Sequence, residues 1–378
     1  MMPGVTHVGI GALESLGPEL RRLQAKKALL VCDPGILAAG LHEQVIAHLR
    51  EEGLGFEQFT DVELEPSTDN AETAAETASQ SGADVIIGLG GGSSLDVAKA
   101  AAVLVTNEGT IRDYLGVDAI PLPGLPTVLI PTTAGTGSEV SMNAIFTLRD
   151  EQIKKGVVSR HLMAAVAIVD PELTLSCPPA ATAAAGIDAL VHAIESYTSV
   201  KATVQTDLYG LEGMRLISGS LRRAYAEGGD LAAREKMSWG SYLAGVGLAN
   251  AGVGAVHALA YPVGARLHTS HGLTNGLLLP FVMEANLASA PERFAQAASA
   301  LGVGDVSGGL EELSAALLGE IRSLLHDIGI PSRLRDAGAR REDLEAFADG
   351  AVEQTRLLAN NPTPLSRAEI LEIFERAY

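Results

Sequence analysis

Asp188 and His192 stand four residues apart in Gly186-Ile187-Asp188-Ala189-Leu190-Val191-His192-Ala193. The run has helical character, so both side chains project from one face. A carboxylate and an imidazole held this way suit a metal ion. His257 and His271 follow in a stretch rich in Gly and Ala and poor in charge, where a buried imidazole requires a partner. Each of these residues taken singly reads as a core side chain with a hydrogen-bond partner. Together, one carboxylate and three imidazoles point to a metal site, and this nitrogen and oxygen set suits Fe(II) or Zn(II) better than Ca(II) or Mg(II), which favour oxygen shells. His268 is a candidate for the mouth of that site, with a plain loop histidine as the alternative. His7, His42, His48, His161 and His326 lie among polar or loop segments and read as surface.

A second group of residues could hold a phosphate. Val85-Ile86-Ile87-Gly88-Leu89 runs into Gly90-Gly91-Gly92-Ser93-Ser94-Leu95-Asp96-Val97-Ala98-Lys99, a strand that ends in glycines and passes into a helix. Glycines let the backbone approach a pyrophosphate, and the helix N-terminus offers unpaired N–H groups with a partial positive charge. Ser93 and Asp96, three apart, read as a capping pair. The dinucleotide fingerprint G-x-G-x-x-G and the Walker loop are both missing, and Gly9-Ile10-Gly11 precedes the first strong strand without a third glycine. Asp33 ends the apolar run Ala28 to Cys32, where a carboxylate either accepts from adenosine ribose hydroxyls or simply forms a turn. The loop Pro131-Thr132-Thr133-Ala134-Gly135-Thr136-Gly137-Ser138-Glu139 offers further hydroxyls and amides after the run Thr127 to Ile130.

The elements that must position these residues fall into two halves. Ala28 to Cys32, Val85 to Leu89, Thr127 to Ile130 and Val166 to Val169 read as buried strands, alternating with helical stretches such as Leu41 to Arg50 and Asp69 to Gln80, the latter capped by Ser67 or Thr68. This is the pattern of a mostly parallel sheet covered by helices. After Asp170-Pro171 the β-branched runs cease, and Pro178-Pro179 opens a region of Ala-, Leu- and Glu-rich helical segments. The boundary is placed near Ser176, giving an α/β domain over 1–176 and an all-α domain over 177–378. Met237 to Ala265 has no Asp, Glu, Lys or Arg, yet its six glycines, Asn250, His257 and Pro262 read as closely packed buried helices rather than a membrane span.

Composition narrows the partners. With 47% apolar and 19% charged residues the chain can bury a core, which excludes a disordered protein. Forty-six Asp and Glu against 27 Lys and Arg leave −19, a field that repels nucleic acid and anionic membrane surfaces. Two cysteines make no disulfide framework; Cys32 reads as a buried inert thiol, and the opening Met-Met-Pro-Gly-Val-Thr does not read as a secretory signal. A cytoplasmic setting is expected.

The run Gly90 to Lys99, the loop Pro131 to Glu139, Asp170-Pro171, Asp188 with His192, and His257 with His271 resemble, in order and spacing, the iron-containing (group III) metal-dependent alcohol dehydrogenases along nearly the whole chain. The resemblance implies an NAD(P)-binding α/β domain and a helical metal-binding domain, an architecture similar to that of dehydroquinate synthase, with the active site between them. It implies Asp188, His192, His257 and His271 as metal ligands, Gly91, Gly92 and Ser93 as the pyrophosphate cradle, and Asp33, Thr132, Thr133, Thr136 and Lys154 on the cofactor side; Asp96, at the start of the glycine-run helix, is a further cofactor-side candidate. Asn143 matches a position near the nicotinamide and substrate. Many members carry a further histidine where this chain has Tyr261, a departure it shares by resemblance with the related hydroxyacid-oxoacid transhydrogenases and some bacterial alcohol dehydrogenase relatives.

The chemistry so implied is metal-assisted hydride transfer between a small alcohol and NAD, with NADP less favoured, in a homodimer or larger homo-oligomer. Tyr261 keeps a transhydrogenase as the nearest rival. A sugar-phosphate cyclase of the dehydroquinate synthase type and a maleylacetate reductase are weaker, because their anionic substrates need basic groups and Arg266 is the first after His257.

Overall fold

A computed structural model of the chain describes residues 1–151, 153–303 and 309–378. They divide into two units, Met1–Ser176 and Cys177–Tyr378.

The first unit is built on a six-stranded, all-parallel sheet of β1 (Val5–Val8), β2 (Lys27–Val31), β3 (Gly55–Phe59), β4 (Val85–Gly90), β6 (Thr127–Pro131) and β9 (Val166–Val169), ordered β1-β9-β6-β4-β2-β3. β5 (Gly116–Val117), β7 (Asn143–Leu148) and β8 (Ile153–Val158) form a second, three-stranded sheet. The central strands are continuous apolar runs because both sheet faces are covered; β4 and β6 are buried at every residue. Helices α1 (Leu16–Arg22), α2 (Pro34–Ala38) and α3 (Leu41–Glu51) contribute to one core with Leu30 and Ile87, while α4 (Thr68–Ser81) and α5 (Gly92–Leu104) contribute to another with Leu29 and Ile86. Ser67 caps α4 through the N–H of Asn70. The sequence reading missed β3, whose residues are mostly polar or exposed, and the lysine-bearing pair β7 and β8.

The strand order brings three loops together. β4 lies between β2 and β6, with Val31 opposite Gly88 and Gly90 opposite Pro131. The segments after all three strands therefore emerge side by side at their carboxyl ends, the edge where open parallel sheets collect ligands.

The second unit has no strand among its described residues. Its helices are α6 (Pro179–Thr198), α7 (Val204–Ser218), α8 (Leu221–Ala226), α9 (Leu231–Ala251), α10 (Ala255–Leu267), α11 (His271–Asn286), α12 (Pro291–Ala300), α13 (Leu310–Asp327), α14 (Leu344–Val352), α15 (Thr355–Leu358) and α16 (Arg367–Ala377). The uncharged stretch Met237 to Ala265 covers parts of α9 and α10, which bend by 102° across the intervening break. No single helix among the described residues is long and apolar enough to cross a membrane. Pro262 sits inside α10 rather than ending it, so Tyr261 stays one helical turn beyond His257.

Candidate metal centre and cofactor cradle

α6 carries Asp188 and His192, α10 carries His257, and α11 begins at His271. α11 lies directly against α6. A Cβ at Gly272 would fall 2.0 Å from the Ala184 carbonyl oxygen and 3.1 Å from Asp188 Cβ, so a residue without a side chain sets the approach of the two ligand-bearing helices. The Nε2 atoms of His192, His257 and His271 stand 3.8, 3.7 and 3.9 Å from Asp188 Oδ1. Asp188, His192 and His257 are buried, whereas the His271 side chain is 33% exposed. The rings of His192 and His257 stack at 4.9 Å, and Tyr261 lies 5.7 Å from the His271 ring.

These residues fit a divalent cation. Four ligands at about 2.0–2.2 Å from one ion in a tetrahedron stand roughly 3.3–3.6 Å apart. The present spacings are a few tenths of an ångström wider. Asn275 Nδ2 lies 2.7 Å from Asp188 Oδ1 and 3.1 Å from Nε2 of both His257 and His271. Two amide hydrogens cannot serve three acceptors, and Asn275 Oδ1 is buried without a partner among the described residues. A cation would satisfy that convergence of lone pairs. Burial alone would raise the Asp188 carboxyl, but His192, His271, His257 and the Asn275 amide hold it below the usual carboxylate range.

Glu195 completes the cluster on α6. Its Oε2 is 2.6 Å from His257 Nδ1, and its Oε1 accepts from the Val256 N–H at 2.6 Å. Burial disfavours the His257 imidazolium, yet the facing carboxylates of Glu195 and Asp188 push its pKa up in spite of that and of Arg356.

In the first unit Gly90 has φ +145° and a Cβ there would meet Ser94 Oγ at 2.6 Å, so the close turn from β4 into α5 demands glycine. Gly91 is the N-cap of α5 and supplies no side chain, which corrects the expected Ser93–Asp96 capping pair. Ser93 Oγ instead donates to the Leu64 carbonyl. Asp96 faces inward because α5 is buried along most of its length: it accepts from Ser138 Oγ at 2.6 Å and the Ile145 N–H at 2.9 Å and pairs with Lys99 at 3.0 Å. Lys99 is fully buried and donates to the carbonyls of Ser138 and Asn143. Together they brace the loop Pro131 to Glu139 and the start of β7. Glu139, also buried, has its carboxyl pushed up to about 7 by burial, which outweighs its own backbone N–H and Lys99. Asp33 caps α2 through the N–H groups of Gly35 and Ile36 and accepts from Ser94 Oγ at 3.1 Å. Thr132 is buried with its N–H on the Gly90 carbonyl, Thr133 and Thr136 are half-buried, and a Cβ at Gly92 would meet Thr136. Lys154 pairs with Glu65 at 2.7 Å, and Asn143 opens β7 half-buried.

Residues 3–171 match the profile described as iron-containing alcohol dehydrogenase, and residues 182–378 that of the Fe-containing alcohol dehydrogenase family, C-terminal. The chain belongs to the iron-containing alcohol dehydrogenase family. As a member it is an oxidoreductase acting on CH–OH groups. It is 45% identical to long-chain-alcohol dehydrogenase 1 of Geobacillus thermodenitrificans over 100% of this chain and 96% of that one. A crystal structure of 1,3-propanediol oxidoreductase superposes with a TM-score of 0.97 at 36% identity, covering 100% and 99% of the two chains. Sulfoacetaldehyde reductase from Bifidobacterium kashiwanohense, solved in complex with NAD+, gives 0.90 at 28% identity, covering 100% and 97%.

Within this iron-containing alcohol dehydrogenase the structure brings the four sequence-derived metal candidates together and adds two residues that sequence reasoning passed over, Glu195 and Asn275. Both carried a readable spacing: Glu195 follows Asp188 by seven and His192 by three, and Asn275 follows His271 by four, each on the helix face of a ligand. His268 ends α10 in the left-handed conformation, φ +52°, with its side chain exposed and outside the contacts that join the four. Of the histidines read as surface, His326 is exposed while His7, His42, His48 and His161 are half-buried, because each lies on or beside an element packed against the sheet. Cys32 is buried as expected, its thiol pushed up to about 12 by burial and by neighbouring Asp33.

Proposed function

We propose that the chain is an NAD-linked alcohol dehydrogenase that interconverts a small alcohol and its aldehyde or ketone, with a divalent cation, Fe(II) or alternatively Zn(II), at Asp188, His192, His257 and His271. The convergence of one carboxylate and three imidazoles on one buried point carries this reading. When bound, the cation supplies Lewis acidity to the substrate oxygen and the nicotinamide takes or returns the hydride. The chain's own residues do the rest. Asp188 supplies the negative charge that makes cation burial affordable, and the imidazoles supply directed lone pairs. The half-exposed face at His271 and Tyr261 leaves a side by which substrate enters.

On the cofactor side, Gly91, Gly92 and Ser93 are proposed to cradle the pyrophosphate at the start of α5, with Thr132, Thr133 and Thr136 alongside and Lys154 and Asn143 further on. Asp33 is proposed to accept from the adenosine ribose, which favours NAD over NADP. Asp96 serves this site through the loop it braces. A homodimer or larger homo-oligomer in the cytoplasm completes the proposal; the NAD+ complex of the sulfoacetaldehyde reductase supports its cofactor.

The test is a panel of aldehydes, ketones and oxoacids assayed with NADH and NADPH, on protein stripped by a chelator and then reloaded with Fe(II) or Zn(II). Carbonyl reduction that returns on reloading and releases free NAD+ is expected. Turnover by the stripped protein, or hydride passed from hydroxyacid to oxoacid with no free dinucleotide released, would refute it.

A further inference from the structure

Glu195 is placed to do more than fill a core position. It projects from the same face of α6 as Asp188 and His192, is 6% exposed, and spends its two oxygens on different tasks. Oε1 holds the N–H of Val256 in the first turn of α10, beside Asn361 Oδ1, which takes the N–H of Ala255 at 3.3 Å. Oε2 meets His257 Nδ1 at 2.6 Å. An ionised carboxylate only accepts, so the proton between them belongs to Nδ1. The neutral ring then keeps its lone pair on Nε2, the atom 3.7 Å from Asp188 Oδ1. A carboxylate at the start of α10 is also favoured by the helix dipole.

We propose that Glu195 is a positioning residue for the metal centre: it locks His257 in the Nδ1-protonated tautomer and fixes the start of α10, so that Nε2 faces the cation site before any metal arrives. This rests on the reading of His257 as a ligand. It is a carboxylate-histidine-metal arrangement, with Glu195 behind the ring of His257.

Glu195→Gln tests it with almost no change of shape. If the glutamine carbonyl keeps the Val256 N–H, its NH2 group faces His257 Nδ1 and forces that nitrogen to accept, which moves the ring proton onto Nε2. If the amide turns over, two donors oppose each other at Val256. Either way the ligand atom is lost or misdirected. Competition against a chromogenic chelator should show Zn(II) affinity falling about 10–100-fold, the range found for outer partners of metal-bound histidine. Nitrogen-15 spectra of selectively labelled, metal-free protein, recorded at a pH high enough for the ring to be neutral, should show His257 protonated at Nδ1 in the native chain and at Nε2 in Glu195→Gln, a signature that a merely structural role would not move.

Native Zn(II) affinity and an unchanged tautomer in a folded Glu195→Gln protein would overturn the proposal. So would a neutral His257 carrying its one proton on Nε2 in the native metal-free protein, a measurement that stands even if the variant fails to fold. His257→Ala separates the two readings: if it binds Zn(II) as the native chain does, the ligand assignment itself is wrong, whereas loss of metal in His257→Ala with none in Glu195→Gln removes only the role of Glu195.

Discussion

Ser94 Oγ donates to Asp33 Oδ2 across 3.1 Å, tying the first turn of the helix after the glycine run to the carboxylate that caps the neighbouring helix. One side chain thus serves as cap, as acceptor for the cradle helix and as the negative charge beside the proposed ribose site. Asp33→Asn separates these tasks, because the amide oxygen still accepts while the charge is gone. NADH should be preferred over NADPH by the native protein, with like-charge repulsion on the order of 1 kcal/mol or more in a partly screened site. Asn should narrow that preference about fivefold or more, with unfolding free energy altered by less than about 1 kcal/mol. Paired kcat/KM values for the two dinucleotides and a denaturant titration check both halves.

Removing a proposed metal ligand should cost more than removing an outer partner. His271→Ala and His257→Ala should each weaken metal affinity by more than the roughly 10–100-fold typical of outer partners, lower metal content and abolish turnover. NAD+ binding to the first unit should persist. Elemental analysis beside calorimetric titration with NAD+ reads the two effects separately, and a fully loaded, active His271→Ala enzyme would remove that residue from the ligand set.

Glu139 should make stability fall with rising pH. Its folded carboxyl titrates at about 7, above its ordinary value of 4.5, so between those points the folded state holds a proton that the unfolded chain has released. The contribution is fully present below about pH 4.5 and is lost as pH climbs through 7, on the order of 3 kcal/mol in all. Urea unfolding across this window should show a steeper decline for the native protein than for Glu139→Gln. Parallel profiles for the two would argue against a buried, proton-holding Glu139.

Gly272→Ala should destabilise the second unit by roughly 1–3 kcal/mol, the usual range for overpacking, because the added methyl meets the Ala184 backbone rather than a yielding side chain. A lower denaturation midpoint is expected, together with weaker metal binding as α11 is pushed from α6. Unchanged values of both would mean that the helices separate without strain.

Tyr261 offers a pH-dependent readout of a different kind. A phenol in general titrates well above neutrality and an imidazole near it. The native pH-rate profile should therefore lack a neutral ionisation that Tyr261→His introduces, while Tyr261→Phe alters turnover more than metal content. Superimposable profiles for native and Tyr261→His proteins would show that the ring near His271 only packs.

How much could be read from residues alone depended on the range of the interaction. The strands through Leu30, Ile87 and Ile130 announce themselves because a sheet covered on both faces favours near-continuous apolar runs. Asp188 with His192 announces itself because four residues make one helical turn. Gly55–Phe59 escaped because a mostly exposed strand keeps polar residues. The reading of Ser93 with Asp96 as a cap failed on orientation: the spacing was right, but α5 is buried deeply enough that Asp96 turns to Ser138, Ile145 and Lys99. Glu195 shows the limit best, since its partner His257 lies 62 residues further on and only folding brings them into contact.

The absence of a side chain at Gly272 also bears on how the metal centre answers hydrostatic pressure. Pressure acts on proteins chiefly through voids and loosely packed side chains, which collapse or fill with water. Between α11 and α6 at this point the Gly272 backbone packs against the Ala184 carbonyl and Asp188 Cβ, which leaves little void to squeeze. Close packing beside Asp188 and His271 should therefore make metal affinity less sensitive to pressure than the looser parts of the molecule.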